Sequence, residues 1–86
     1  MEKSIHLNKY RVMISLLREK RESMGITQIQ LAEKLNVGQT IISKIETCER
    51  RLDVIELMSI CCAIKVCFID FINELYQKLN NDGVSI

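Results

Sequence analysis

Apolar residues recur at helical spacing in five stretches of the chain, separated by short breaks. From about Asn8 to Ser23, Tyr10, Met13, Ile14 and Leu17 share a face. Gly25 follows, where a left-handed residue commonly ends a helix. Thr27 and Gln30 then form a Thr-x-x-Gln capping box, which opens a short second helix with Leu31, Ala32 and Leu35 inward. Asn36 tolerates a positive φ and can end that helix sharply. A third helix is predicted from about Gln39 to Thr47, with Ile42 and Ile45 inward and Gln39, Thr40, Ser43 and Lys44 outward. Beyond the loop Cys48–Leu52, Asp53 and Glu56 form a second capping box. They open a fourth helix whose apolar residues are Val54, Leu57, Met58, Cys61 and Ile64. After a break at Lys65–Cys67, Phe68, Phe71, Ile72, Leu75, Tyr76 and Leu79 repeat at helical spacing. The pattern predicts an all-α, compact five-helix domain over residues 8–79, with a flexible arm at 1–7 and a disordered tail at 80–86.

The second and third helices carry a sharper signal. Two helices that cross steeply at a tight turn need a small residue where they meet, a turn residue tolerant of positive φ, and apolar anchors on the second helix. Ala32, Asn36 and the pair Ile42 and Ile45 meet these demands at consistent spacing. The unit from about Gln28 to Glu46 therefore reads as a helix-turn-helix, with the third helix as its reading head.

Composition agrees with this picture. Half-apolar character, no proline and few glycines favour helices joined by tight turns. The net charge is only +1, but it is unevenly spread. Residues 1–51 carry ten Lys/Arg against six Asp/Glu, and residues 52–86 carry two against five. A basic part followed by an acidic one suits a nucleic-acid reader whose far end does something else; ordinary solvated charge is the alternative. The opening residues lack the apolar segment of a signal peptide, and no apolar run is long enough to span a membrane. The expectation is a cytoplasmic chain with reduced thiols and no membrane contact. Cys48, Cys61, Cys62 and Cys67 show no zinc-site spacing, and the single histidine, His6, is remote in sequence. No metal or cofactor is expected. There is no Gly-rich phosphate loop and no acid pair on a cleft-lining element, so no catalytic reading survives.

Base reading falls to the outward side of the third helix. Gln39, at its start, has an amide that can donate to adenine N7 and accept from its N6 amino group. Thr40 offers a hydroxyl or a methyl. Lys44, one turn on, reaches guanine or a phosphate. Ile41 either meets thymine methyls or packs at the edge, and Ser43 either touches backbone or nothing. Arg50 and Arg51, following the helix, are expected along the sugar-phosphate backbone.

The stretch Gly25-Ile-Thr-Gln-Ile-Gln-Leu-Ala-Glu-Lys-Leu-Asn-Val37, the run Ile42-Ser-Lys-Ile-Glu46, Arg50-Arg51 and residues 57–64 together resemble the Cro/repressor (XRE-type) helix-turn-helix family. The likeness covers roughly residues 10–72. It implies five helices, a third helix in the major groove of double-stranded DNA, and a transcription regulator, usually dimeric on a palindromic site. It implies that Gln28 touches a phosphate and braces Gln39, and that Arg21 and Glu46 form a structural ion pair. With Thr27 and Thr47, the phosphate-contacting set is Thr27, Gln28, Ser43, Thr47, Arg50 and Arg51. The chain departs from the family pattern at Asn36, where glycine is usual, at Gly38 for a Ser/Thr cap, at Leu52 for a frequent proline, and at Lys65 for a frequent glycine.

The leading expectation is a repressor of the phage, restriction–modification controller or antitoxin type. The alternative is a helical module that keeps the fold and binds a protein, such as a toxin or another regulator. The apolar arc of the fifth helix is wider than one core requires, which predicts a homodimer through Phe68, Ile69, Ile72, Leu75, Tyr76 and Leu79.

Overall fold

The computed structural model describes residues 3–81, with side chains from Asn8 onward. Five helices follow in order: α1 (Lys3–Ser23), α2 (Gln28–Leu35), α3 (Gln39–Glu46), α4 (Val54–Ala63) and α5 (Phe68–Asn81). Helix α1 starts at Lys3 rather than Asn8, so residues 3–7 are helical and not a loose arm. They hold no glycine or proline to stop the helix. An apolar stripe marks only the packed part of a helix, not its end. Helix α5 likewise continues to Asn81, two residues into the expected tail. Residues 1–2 and 82–86, the remainder of the arm and tail, lie outside the described residues.

All four inter-helix turns leave the preceding helix in the same way. A residue with positive φ closes each helix: Gly25 (72°), Asn36 (57°), Cys48 (65°) and Lys65 (62°). In each case its own N–H donates three residues back, and the next N–H donates five residues back. The four longer bonds are Ile26 to the Arg21 carbonyl (3.2 Å), Val37 to Ala32 (3.0 Å), Glu49 to Lys44 (2.8 Å) and Val66 to Cys61 (2.9 Å). This Schellman pairing satisfies carbonyls that the helix itself leaves open. The sequence pointed to Gly25 and Asn36. Cys48 gave no such signal, because a cysteine has no preference for this conformation. The starts of α2 and α4 are closed by the two capping boxes, Thr27 with Gln30 and Asp53 with Glu56.

The core draws on every helix. Ile14, Leu17, Leu31, Ala32, Ile42 and Ile45 bring α1, α2 and α3 together. Leu57, Ile60, Cys61, Ile64 and Phe71 close it from α4, its end and α5. Helix α1 lies between α3 and α5, and so it needs two apolar stripes. Ile14, Leu17 and Arg21 form one of them, and Arg21 reaches α3. Met13, Leu16 and Lys20 form the other, and Lys20 Nζ meets Glu74 Oε1 of α5 at 2.6 Å. Leu16 is buried with this second stripe. On α4 the buried face is Leu57, Ile60 and Cys61. Val54 and Met58, apolar as well, lie on the flank of that face and are 57% and 45% exposed. Burial also pushes the Cys61 thiol up to about 11, which makes it an inert packing residue. All four cysteines are free thiols.

Lys65 carries a Cβ in a conformation that disfavours one by roughly 1–2 kcal/mol. Its side chain is exposed, so little packing is lost on removing it. Lys65→Gly should stabilise the fold by about 1 kcal/mol once the greater freedom of unfolded glycine is subtracted. For a domain of this size that is a rise of roughly 4–8 °C in Tm. A thermal melt by circular dichroism checks this; an unchanged or lower midpoint would show that the turn is not strained.

Candidate nucleic-acid interface

Helix α3 turns three different faces to its surroundings. Ile42 and Ile45 point into the core. At about 100° per residue, Thr40, Ser43, Lys44 and Thr47 then fall opposite them, with Gln39 and Ile41 on the two flanks. Gln39, Thr40, Lys44 and Thr47 are exposed, and Ser43 is half-buried. Ile41 is half-buried and packs against the core. It borders a shallow apolar groove of about 250 Å³ with Leu35, Val37, Leu52 and Ile55. Ile41 packs at the edge, one of its two expected positions, on the flank next to Lys44.

Gln39 does not hang free. Its Nε2 donates to Gln28 Oε1 at 2.9 Å, and Gln28 Nε2 donates to Glu46 Oε1 at 2.9 Å. The Glu46 carboxylate also takes Arg21 Nε on one oxygen at 2.6 Å and Arg21 Nη2 on the other at 2.9 Å. Arg21 Nη1 completes the chain at the Ile26 carbonyl, 2.7 Å away. The Arg21 and Glu46 side chains are only 7% and 6% exposed, so their charges are held in a dry setting with both faces of the pair matched. No buried side-chain nitrogen or oxygen among the described residues lacks a partner. The series runs from the end of α1, through the start of α2, to the first residue of α3. It links the buried ion pair to an exposed amide. Gln39 gives one N–H to Gln28 and keeps its second N–H and its Oε1, the one-donor, one-acceptor pattern an adenine edge requires.

The other expected contact residues are placed unevenly. The Thr27 hydroxyl accepts from the Gln30 N–H at 3.0 Å and keeps its own proton available. Thr47 Oγ1 lies 2.6 Å from Glu49 Oε2 and within bonding range of the Ser43 and Lys44 carbonyls, so its hydroxyl is already engaged. Arg50 is engaged too: its Nη2 donates to Glu56 Oε2 at 2.8 Å. That bond raises the guanidinium's pKa and lowers that of the Glu56 carboxyl. Glu56 also closes the capping box of α4, accepting from the Asp53 N–H at 3.0 Å. Arg51 is exposed and lies over the Tyr10 ring, 4.5 Å from its centroid, a contact worth about 0.5–1 kcal/mol at such a site.

Tyr10 is the residue that sequence reasoning missed. Its spacing marked it as part of the α1 stripe, and it does pack against the core. Its hydroxyl, however, accepts from the Leu52 N–H at 2.9 Å and approaches the Arg50 carbonyl at 3.5 Å. No local pattern pairs residues so far apart in sequence.

On α5, Phe68, Ile72 and Leu75 are half-buried and packed on the core of this one chain. Leu79 is 7% exposed and belongs to the core, so it is not interface surface. Ile69 and Tyr76, two turns apart on the same side, are 62% and 55% exposed. Among the described residues no three His, Cys, Asp or Glu side chains cluster as metal ligands, and no helix is long and apolar enough to cross a membrane.

The family described as Helix-turn-helix matches residues 17–67, from the last two turns of α1 to the residue before α5. A comparison with curated protein sequences finds no match. Among solved structures, the chain is similar to the XRE-family like protein from Pseudomonas syringae pv. tomato str. DC3000. The two are 41% identical with a TM-score of 0.84, over 88% of this chain and 93% of that one. With the helix-turn-helix, its braced leading glutamine and this likeness in place, the chain belongs to the XRE-type helix-turn-helix family of DNA-binding transcription regulators.

Proposed function

We propose that the chain is a homodimeric repressor that reads a palindromic operator through α3. The observation that supports it most is the held amide of Gln39, oriented by Gln28 with the adenine-matching groups left open. Gln39, Thr40 and Lys44 read base edges. Thr27, Gln28, Ser43 and Thr47, with Arg51 after α3, follow the phosphates. Arg21 and Glu46 support the readers and touch no DNA. Ile69 and Tyr76, with the rims of Phe68, Ile72 and Leu75, meet a second copy. Two-fold pairing there sets the two α3 helices about 34 Å apart, one turn of DNA.

Selection from random duplexes followed by gel shift tests the assignment. An enriched palindrome is expected, and absence of enrichment at low salt would favour a protein-binding module instead. On the selected site, Gln39→Ala and Lys44→Ala should each weaken binding by roughly 1–3 kcal/mol and relax preference at their own base pairs. A uniform loss across all sequences would remove them from the reading set.

Glu46→Ala leaves a buried guanidinium without its carboxylate. It should lower stability by about 3 kcal/mol, with DNA affinity falling only as the folded fraction falls. Unaltered melting together with lost binding would instead place Glu46 on the DNA.

Sedimentation at micromolar concentration should give twice the 10.0 kDa of one chain. Ile69→Asp combined with Tyr76→Asp should return it to one chain while melting cooperatively. A wild-type monomer on and off DNA would sink the dimer.

A further inference from the structure

The loop after α3 is pinned at every backbone amide but one. The Thr47 N–H donates to the Ser43 carbonyl (3.0 Å) and the Cys48 N–H to the Ile45 carbonyl (3.1 Å). The Glu49 and Arg50 N–H groups share the Lys44 carbonyl, at 2.8 and 3.1 Å. The Leu52 N–H donates to the Tyr10 hydroxyl and the Asp53 N–H to the Glu56 carboxylate. Between these, the Arg51 N–H finds no acceptor among the described residues.

The two arginines of the loop also differ in what their guanidinium groups have left to give. The Arg50 pair with Glu56 uses the planar edge of the group, where its donors lie. The Arg51 contact with Tyr10 uses the face of the group, which carries no donor. Stacking thus limits the rotamers of Arg51 and leaves its whole donor edge open. An open guanidinium edge and an open backbone N–H on one residue are a two-armed match for a phosphate oxygen pair.

We propose that Arg51, carried on the Tyr10 ring, holds one DNA backbone phosphate through its guanidinium and its own N–H, while Arg50 serves the fold through Glu56. This rests on the DNA-reading assignment above. Tyr10 is a positioning residue: its ring holds the Arg51 side chain, and its hydroxyl holds the backbone at Leu52. The pairing extends the recognition surface to the first half of α1, an element that reads as core in the sequence.

The test is a salt titration of binding to the selected site, with each variant checked by circular dichroism to be folded at the binding temperature. Arg51→Ala should weaken binding about tenfold across all sequences and make the plot of log affinity against log salt shallower by about 0.9 per protomer. Arg50→Ala should lower the melting midpoint and leave that slope alone. In a Tyr10→Leu background the loss caused by Arg51→Ala should shrink to about twofold, because the side chain is no longer held. Tyr10→Phe keeps the ring and should retain most of the original loss. A slope that moves with Arg50 and not with Arg51 overturns the phosphate assignment. An Arg51→Ala loss that is equal in the wild-type and Tyr10→Leu backgrounds overturns the positioning role. A wild-type chain that selects no DNA overturns the DNA-reading assignment itself, and this proposal with it, whereas the other two outcomes leave that assignment standing.

Discussion

A guanidinium and a carboxylate that have both left water stay charged only when their donors and acceptors are matched, and Arg21 and Glu46 meet that condition on both oxygens. The pair is a poor source of net stability, since a well-packed apolar pair could stabilise the domain as much. What an apolar pair could not do is set direction. Each partner has a further bond to make: Arg21 to the Ile26 carbonyl and Glu46 to the Gln28 amide. Those bonds fix α1, α2 and α3 against one another in one rotation. The orientation of Gln39 follows, because among the described residues its side-chain partner is Gln28. The interior thus sets the geometry of an exposed amide without any loop intervening.

The same economy of movement appears at the helix ends. Four turns in the left-handed region, each closed by paired backbone bonds, let short helices change direction with few unsatisfied groups. Two of these turns use residues with side chains that resist the conformation, Cys48 and Lys65. The turn at Cys48 also ties the following loop to the Lys44 carbonyl, so the loop moves with α3 or not at all. Rigid attachment of this kind suits a surface that must meet bases and phosphates in one docking.

Much of this is legible in the sequence, and the failures share a cause. The capping boxes, the left-handed Asn36 and the inward Ile42 and Ile45 are local signals, fixed within a few residues. The Arg21–Glu46 and Gln28–Gln39 contacts follow from the family likeness, and the structure contains both. What the sequence pattern misses depends on neighbours from elsewhere in the chain. The pattern shows a single stripe on α1, but α1 is packed on two sides and buries Leu16 as well. Leu79 looks like spare surface, yet it closes the core. The engagement of Arg50 by Glu56 is hidden because the capping box accounts for Glu56 by itself.

The bond between Tyr10 and Leu52 has a consequence for how this chain can drift. Where relatives place proline before α4, no N–H exists and none needs an acceptor. Leucine restores the N–H in a half-buried spot, and a hydroxyl forty-two residues away receives it. The two positions are therefore yoked. Losing the hydroxyl while Leu52 remains strands a donor, and a proline at position 52 strands the hydroxyl while the ring keeps its contact with Arg51. Substitutions at one site should be tolerated only where they suit the residue at the other.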